Sequence, residues 1–534
     1  MMKLYKRIPI ENPFFWAIFY FIGLGILSII LGQDVSWDLR NYHFYNPYML
    51  LTGRFKYDIL PAQIQTFFNP LLDVPFFVAI YYLKLPPIAV GFLLGGFHGL
   101  NQLFVHLLTY RSLGKLSENV KINLSVLAAI TSVFGAAYLS ELGTSIGDNT
   151  TSVFILAGLF LIVDRLSREG RIPERTVMLA GLLLGLGAGF KLTNALYSIS
   201  LLVAMMFLPN SWKDKFRNLI LVIPAMAIGV SVTAGYWIFL MWTQFASPLF
   251  PFYNKFFKSP YIETDYSFSG IKYLPKDLWQ WLFYPLYFVR RQTLVSEVPF
   301  QDSRLAIAYL LSVIVIGVML YRYITKRPTD NDLVRVPVLQ FLLPFSVTAY
   351  LLWMAQFGIY RYLMVVELLT PVLILLCVAY LYPRRQPALI VTVALFALIL
   401  VTVKPMDWWR SGWSLNYFDI DRQALQGYEN STIILWGDEP TSYIVPHFPA
   451  SARFVRLKGN TGVSEGTLMR KNARTFIGNT PENSLYILQT DFNKKAPDIH
   501  EDLAKENLAI DLANCRPFPT KIDKFNICSL KKTQ

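Results

Sequence analysis

Residues 14–32 read FFWAIFYFIGLGILSIILG, a run with no charged and no amide side chain. A run of about 18 or more such residues is long enough to cross the hydrocarbon core of a bilayer as an α-helix. The segment before it, MMKLYKRIPIENP, lacks the small-residue pattern of a cleaved signal peptide. We therefore expect this run to remain in the protein as its first membrane-spanning helix.

Similar apolar runs recur as far as residue 404. Of the 534 residues, 54% are hydrophobic and only 16% are charged, whereas soluble domains are about 25% charged. The sequence thus predicts a polytopic α-helical membrane protein. We expect eleven spans, at residues 14–32, 88–109, 122–140, 150–164, 177–190, 194–208, 218–243, 304–321, 336–354, 362–381 and 388–404.

The distribution of basic residues predicts how these spans are oriented. The formal net charge is +14, and Lys and Arg concentrate in alternate short loops, as the positive-inside rule requires of cytoplasmic loops. No basic face interleaved with aromatic residues is visible, which argues against a nucleic-acid partner. We expect a cytoplasmic N-terminus. The basic loops are MMKLYKR, YRSLGKLSENVK, RLSREGRIPER, KDKFR, YRYITKRPTDNDLVR and PRRQ.

One further apolar run, NPLLDVPFFVAIYYLKLPP at residues 69–87, would reverse this scheme if it crossed the membrane. It is short, contains Asp73 and Pro75, and is bounded by prolines. We therefore expect a helix that lies in the outer interface. With eleven crossings, the C-terminus is then extracytoplasmic.

This scheme divides the chain into a transmembrane module, residues 1–404, and a C-terminal domain, residues 405–534. The module carries a long first external loop at 33–87 and a second long external segment at 244–303. Long loops on a rigid scaffold often carry function. In the C-terminal domain, STIILWGDEPTSY and SLYILQTD predict strands and HEDLAKENLAI predicts a helix, the pattern of a small α/β domain. Cys515 and Cys528 could form a disulfide there in an oxidising compartment.

The first external loop is unusually polar for its position beside a membrane. Asp34 and Asp38 are four residues apart, and Tyr42 and His43 follow them. A carboxylate here could act as a general base towards an acceptor hydroxyl, and Arg54 could hold a phosphate. The alternative is that these residues only solvate the loop and anchor it at the interface.

Three other groups of ionisable residues fall on the same predicted side of the membrane. Glu141 and Asp148 lie in SELGTSIGDNT, where Asp148 could also cap a helix. Lys191 interrupts the apolar stretch GLGAGFKLTNALY, and snorkelling to the interface is its alternative explanation. Arg361 begins a span in which Glu367 lies about two turns deeper. Ionisable groups among membrane helices are expensive, so they indicate a functional site.

Five motifs resemble a known family in their order along the chain: D-x-x-x-Y (Asp38 to Tyr42), NPLLDVPFF, GLLLGLGAGFKLTNA, SPLFPFYN and YRYLMVVELL. They are similar to motifs of the integral-membrane GT-C glycosyltransferases, in the ArnT-like and protein-mannosyltransferase-like bacterial branch. The resemblance covers most of residues 10–405. The sequence departs from the family where Asp38 is followed by Leu39 rather than Glu, and where residues 68–71 replace the usual Lys-Pro-Pro.

The resemblance implies a glycosyltransferase of the bacterial inner membrane that moves a sugar from a polyprenyl-phosphate donor to a lipid or glycan acceptor. It implies Asp38 as the base, with Asp34 as its rival, and Asp148 as the second acid, which orients the acceptor or helps to hold a divalent cation. Lys191, Arg361 or Arg54 would neutralise the leaving phosphate. A transporter or flippase for an amphiphilic substrate, a polysaccharide polymerase or ligase, and an assembly protein without catalysis remain as alternatives.

Overall fold

The structure is a computed structural model that describes residues 12–266, 271–328, 331–490 and 492–533. The predicted basic N-terminal segment MMKLYKR lies outside the described residues. The helices, in chain order, are α1 (Pro13–Leu31), α2 (Tyr45–Leu51), α3 (Val74–Tyr81), α4 (Pro87–His98), α5 (Leu100–Ser112), α6 (Glu118–Val133), α7 (Ala136–Ser140), α8 (Asp148–Glu169), α9 (Glu174–Phe190), α10 (Ala195–Met206), α11 (Trp212–Phe245), α12 (Asn254–Phe257), α13 (Leu278–Tyr287), α14 (Arg304–Ile324), α15 (Val336–Gln356), α16 (Met364–Leu381), α17 (Arg385–Thr402), α18 (Leu468–Asn479) and α19 (Phe492–Ala504).

The prediction of a polytopic helical membrane protein is confirmed. In the described part of the chain, eight helical segments are long and apolar enough to cross a membrane. They are Pro13–Leu31, Pro87–Ser112, Asp148–Glu169, Trp212–Phe245, Arg304–Ile324, Val336–Gln356, Tyr360–Leu381 and Arg385–Thr402.

The sequence predicts eleven spans, three more than the eight described segments that are long enough to cross. The three remaining apolar runs form α6, of 16 residues, α9, of 17 residues, and α10, of 12 residues. At 1.5 Å per residue, such helices are about 18–26 Å long, which is short of the roughly 30 Å core. The predicted interface segment contains α3, which has only eight residues and is too short to cross.

The contacts divide the chain into two compact units. The helical unit comprises the described parts of Met1–Leu31, Phe92–Gly235 and Ser269–Trp408. Its centre is the span Tyr360–Leu381, which is 94% buried, whereas Arg385–Thr402 is 22% buried. Because almost every side chain of α16 is apolar and inside, its one carboxylate, Glu367, must find its partners within the protein.

The sheet unit comprises Gly32–Gly91, Tyr236–Phe268 and Trp409–Gln534 in their described parts. Its strands are β1 (Gln33–Asp34), β2 (Arg410–Ser411), β3 (Thr432–Leu435), β4 (Arg453–Arg456), β5 (Leu485–Thr490), β6 (Leu508–Pro519) and β7 (Lys524–Lys532). The main sheet has the order β4-β3-β5-β7-β6, with β3, β4 and β5 parallel and β7 antiparallel to both of its neighbours. The small C-terminal α/β domain expected from the sequence is therefore present.

The predicted first external loop belongs to the same unit as this domain. The amide of Ile59 donates to the carbonyl of Phe454, and the amide of Arg456 donates to the carbonyl of Ile59, at 2.8 and 2.9 Å. Ile59 thus forms an isolated parallel bridge with Val455 of β4 at the edge of the sheet. The loop is ordered by the domain rather than free in solvent.

Two details of the domain differ from or add to the sequence reading. The predicted helix at residues 500–510 ends at Ala504, because Asn507 adopts a left-handed backbone (φ 57°) and β6 starts at Leu508. Cys515 and Cys528 lie directly opposite each other on β6 and β7 and form a disulfide, with an S–S distance of 2.08 Å.

Candidate functional site

The helical unit gathers four of the predicted site residues into one group, here called the Asp148 cluster: the buried acids Glu141 and Asp148 and the partly buried cations Lys191 and Arg361. They come from three places in the chain. Glu141 and Asp148 flank the loop between α7 and α8, Lys191 follows the end of α9, and Arg361 lies in the 3₁₀ turn Tyr360–Leu363 before α16. Each is a point where a helix begins or ends.

Asp148 is the centre of the cluster. Gly147 before it has φ +89°, a left-handed conformation that suits glycine, and this turn starts α8 with Asp148 as its first residue. The side chain is 3% exposed. Its Oδ1 lies 2.6 Å from Nζ of Lys191, and its Oδ2 lies 3.6 Å from Nη1 of Arg361. One carboxylate therefore holds two cations.

Both cations have further partners around them. Nζ of Lys191 donates to the carbonyl of Ile146 at 3.2 Å. The ring of Tyr362 lies 5.5 Å from this nitrogen and 5.1 Å from Cζ of Arg361, and Trp408 lies 5.8 Å from the same Cζ. The aromatic faces and the carbonyl orient the two cations beside the shared carboxylate. The three groups have two formal positive charges and one formal negative charge, so their formal net charge is positive.

Glu141 is buried, at 1% exposure, and neither of its carboxylate oxygens has a hydrogen-bond partner in the described part of the chain. Burial raises the pKa of the Glu141 carboxyl well above its usual value, and the carboxylate of Asp148 raises it further, whereas Lys191 and Arg361 lower it. A buried carboxyl without partners is favoured in its neutral form. A protonated Glu141 would leave the net positive charge of the cluster intact.

A histidine that the sequence analysis did not single out holds the loop between α7 and α8. Nδ1 of His98 accepts the amide N–H of Gly143 at 3.0 Å, so Nε2 is the protonated nitrogen and faces Oγ1 of Thr150 at 2.9 Å. The hydroxyl of Tyr138 donates to the carbonyl of His98 at 2.8 Å. The signal in the sequence was the polar set His98, Asn101 and Gln102, which recurs at helical spacing within an apolar run.

Glu367 has a different setting. Its carboxylate accepts the amides of Ala137 and Tyr138, at 3.0 and 2.8 Å, at the start of α7. A Cβ added to Gly135 would lie 2.0 Å from Oε1 of Glu367, so only glycine allows this approach. The bonds hold the turn before the Asp148 cluster in place, which is a positioning role.

A buried ion pair completes the support of this turn. Nε of Arg304 lies 2.7 Å from Oδ2 of Asp302, and both side chains are fully buried. Asp302 accepts the amide of Ala136 at 3.2 Å, while Arg304 donates to the carbonyl of Phe134 at 2.6 Å. The backbone at residues 134–138 is therefore fixed on both sides by charged side chains.

The residues predicted in the first external loop lie in the sheet unit. Asp34 belongs to β1, is buried, and accepts the amide of Ser36 through Oδ1 at 2.8 Å. Asp38 is half-buried and precedes the π-helical turn Leu39–His43. Tyr42 packs its ring 4.1 Å from that of His43, and Nδ1 of His43 lies 2.8 Å from Oδ1 of Asp73.

Arg54, predicted as a phosphate ligand, uses its donors for other partners within the sheet unit. Its guanidinium makes a bidentate pair with Asp58, with Nε–Oδ2 at 2.7 Å and Nη2–Oδ1 at 2.8 Å. It also donates to the carbonyls of Ala450 and Ala452, at 2.7 and 2.5 Å, and is 5% exposed. This use of its donors speaks against Arg54 as a phosphate ligand and for a structural role in the sheet unit.

Among the described residues, no group of three or more His, Cys, Asp or Glu side chains is arranged to hold a metal ion. In the Asp148 cluster, Asp148 is occupied by two cationic side chains. A divalent cation would have to displace or compete with both of them, so the residues present do not fit such an ion there.

Comparison with solved structures finds a likeness to the crystal structure of ArnT from Cupriavidus metallidurans bound to undecaprenyl phosphate. It covers 96% of this chain and 96% of that chain, at 12% sequence identity and a TM-score of 0.47. At this level of similarity the likeness carries neither the site nor the reaction. No family model matches the chain, and no curated protein matches it.

Proposed function

We propose that this protein is a glycosyltransferase that moves a sugar from a polyprenyl-phosphate donor to an acceptor at the outer face of the bacterial cytoplasmic membrane. The observation that carries the proposal is the pairing of Lys191 and Arg361 on one carboxylate, Asp148, in a buried part of the helical unit. The family resemblance of the sequence points to the same chemistry.

The Asp148 cluster suits the phosphate of a lipid donor. A guanidinium and an ammonium can both donate to phosphate oxygens, Arg361 in a bidentate manner and Lys191 as a point charge. A phosphate that enters competes with Asp148 for these donors, so the carboxylate keeps the two cations in position until then. Neutral Glu141 would add a hydrogen-bond donor rather than a repelling charge.

The proposed reaction is a direct displacement at the anomeric carbon of the sugar. The acceptor oxygen forms the new glycosidic bond and loses its proton to a base, while the bond between the anomeric carbon and the phosphate oxygen breaks. The phosphate leaves with the electron pair, and Lys191 and Arg361 stabilise the negative charge that develops on it. The products are the glycosylated acceptor and the polyprenyl phosphate.

The base is assigned from the sequence resemblance. Asp38 is proposed for this role because Tyr42 follows it at the family's interval, and Asp34 is its rival. The partial exposure of Asp38 is compatible with a carboxylate that must meet an acceptor hydroxyl, whereas Asp34 is buried and accepts the amide of Ser36.

Donor consumption in detergent solution tests the proposal. Purified protein is incubated with a panel of sugars carried on undecaprenyl phosphate and with a lipid extract as acceptor. We expect free undecaprenyl phosphate to form with at least one sugar, together with a new glycosylated lipid or glycan. A transporter or an assembly protein would leave every donor intact, and that result would refute the proposal. The length of the product distinguishes a single transfer from polymerisation.

A topology measurement tests the proposed location. We place the sheet unit outside the cytoplasm, because Lys and Arg concentrate in the opposite set of loops. This placement requires α6, α9 and α10 to cross the bilayer together with the eight longer segments, eleven crossings in all. Alkaline phosphatase fused after the last residue should be active in intact bacteria, and a fluorescent protein that requires the cytoplasm should be dark. The reverse pair of results would contradict this orientation.

A further inference from the structure

The sheet unit carries two cations around one aromatic ring. Nζ of Lys84 lies 4.8 Å from the ring centre of Tyr81, and Cζ of Arg422 lies 5.7 Å from it. Both cations are exposed, and neither forms an ion pair with a carboxylate within the residues that the structure describes. The neighbouring carboxylate, Asp421, accepts the amide of Gln423 instead. Two like charges placed together without a counter-charge indicate a site for an anion.

The chain places Lys84 close to the start of a candidate membrane-spanning segment, and Arg422 shares the ring of Tyr81 with it. Lys84 lies between α3 and the membrane-spanning segment Pro87–Ser112, and only two residues separate it from the start of that segment. An extended chain advances about 3.5 Å per residue, so Lys84 lies within about 10 Å of the helix that enters the bilayer. This is the level of lipid headgroups, where Lys and Arg meet phosphate.

Exposed apolar side chains accompany the cations. Tyr82 is 52% exposed and Leu83 is 64% exposed, directly before Lys84 in the sequence. Large apolar groups beside basic ones are typical of surfaces that enter the interface between headgroups and acyl chains. A soluble anion would make no use of them, whereas a lipid would contact both parts.

The floor of the site is aromatic and uncharged. The ring of His447 stacks on that of Phe44, with centres 6.0 Å apart and planes at 10°, and it meets Tyr81 edge to face. Burial, together with smaller effects of Arg422 and Lys84, lowers the pKa of His447 to about 3. The histidine is therefore neutral at physiological pH, and the positive charge of the site rests on the two side chains at the surface.

We propose that Lys84 and Arg422 form a binding site for the phosphate of an anionic phospholipid, with Tyr81 between the two cations and Leu83 against the acyl chains. The site is separate from the Asp148 cluster and from the proposed transfer reaction. Its role would be to hold the sheet unit against the headgroups of the bilayer in which α4 is inserted.

The test compares lipid retention by purified protein in dodecyl maltoside micelles doped with phosphatidylglycerol or phosphatidylcholine, measured by native mass spectrometry. The test variant is Lys84→Gln with Arg422→Gln. The control is Lys458→Gln with Lys505→Gln, which removes the same charge from exposed cations of the same unit that already pair with Asp502. Thermal unfolding of each variant shows whether the fold is retained.

Wild-type protein and the control should retain phosphatidylglycerol in preference to phosphatidylcholine. Each single substitution should weaken phosphatidylglycerol binding about five-fold and the double substitution about 30-fold, since each basic residue near an anionic membrane contributes about 1 kcal/mol. Equal retention of both lipids by the wild type, or undiminished retention by the folded double variant, would overturn the proposal. If glycerol phosphate at equal concentration displaced phosphatidylglycerol, the site would bind a soluble phosphate rather than a lipid, and this result would overturn the proposal as well.

Discussion

The ammonium group of Lys191 lies 2.6 Å from the carboxylate of Asp148, 43 residues earlier in the sequence. The contact joins the end of α9 to the start of α8, where the Asp148 side chain is 3% exposed and that of Lys191 is 17% exposed. A largely buried pair of this kind is weak support for stability, because the desolvation of two charges offsets much of their attraction. A function that needs the ammonium group of Lys191 fixed in position explains this contact better.

Lys191→Gln should reduce donor consumption by about 10²–10³-fold, because it removes one of two charges that stabilise the leaving phosphate. The rate of undecaprenyl phosphate release measures the effect. Arg165→Gln, which removes an exposed cation paired with Glu169 on α8, is the matched control and should act as the wild type does. A folded Lys191→Gln protein with the wild-type rate would exclude this lysine from the site.

Glu141→Gln should remove a pH dependence of stability. Because the pKa of Glu141 is raised in the folded protein, its contribution is complete below the pKa of the unfolded chain and is lost as the pH rises through the folded value. We expect the thermal midpoint of the wild type to fall relative to that of Glu141→Gln as the pH rises above the ordinary pKa range of a glutamate. Glu174→Gln, at an exposed acid of α9, is the control. Parallel curves for the wild type and Glu141→Gln would show that Glu141 ionises as freely as in the unfolded chain.

Arg54→Met should destabilise the protein by about 3–5 kcal/mol, since it leaves the buried carboxylate of Asp58 without its partner. The midpoint of denaturant unfolding measures this loss. Adding Asp58→Asn should restore part of it, and the KM for the donor should stay unchanged in whatever protein folds. If the Arg54→Met protein had normal stability and a raised KM for the donor, Arg54 would be a phosphate ligand rather than a structural residue.

Asp38→Asn should lower sugar transfer by at least about 10²-fold without a change in stability, because it removes the proposed base. Asp34→Asn should keep most of the activity, since an amide oxygen can still accept the N–H of Ser36. Transfer assays on both variants decide between the two acids. If the folded Asp34→Asn protein were inactive and the Asp38→Asn protein active, Asp34 rather than Asp38 would be the base.

Replacing Cys515 and Cys528 with serine should lower the stability of the protein by about 3 kcal/mol, as expected for a cross-link that closes a loop of this size. The thermal midpoint should then no longer respond to reductant, whereas that of the wild type should fall when the disulfide is reduced. A wild-type midpoint that is the same with and without reductant would contradict a stabilising role for this bond.

The membrane fold could be predicted because its signal is local. The length of an uncharged run such as residues 14–32 can be read directly from the sequence, and this length decides whether the helix can cross a bilayer. The signal is weaker for α9 and α10, which are apolar enough but short. Whether such helices cross depends on how they pack and tilt, which is decided by contacts distant in the sequence.

The candidate site could be predicted only in part, because its geometry depends on partners that are far apart in the chain. Composition and loop charge predict that Asp148, Lys191 and Arg361 lie on one side of the membrane. They do not predict that these three side chains contact one another. For Arg54 the sequence could not reveal the carbonyls of residues 450 and 452, which take up its donors. His98 was overlooked since a single histidine in an apolar run is usually a core residue.

The affinity of the purified protein for undecaprenyl phosphate, compared with undecaprenol, tests the central claim most directly. If the Asp148 cluster binds a lipid phosphate, the wild type should bind the phosphate at least about ten-fold more tightly than the alcohol. Lys191→Gln should lose most of that preference and Arg165→Gln should keep it. Equal affinity of the wild type for the two lipids, or an undiminished preference in folded Lys191→Gln protein, would contradict the account.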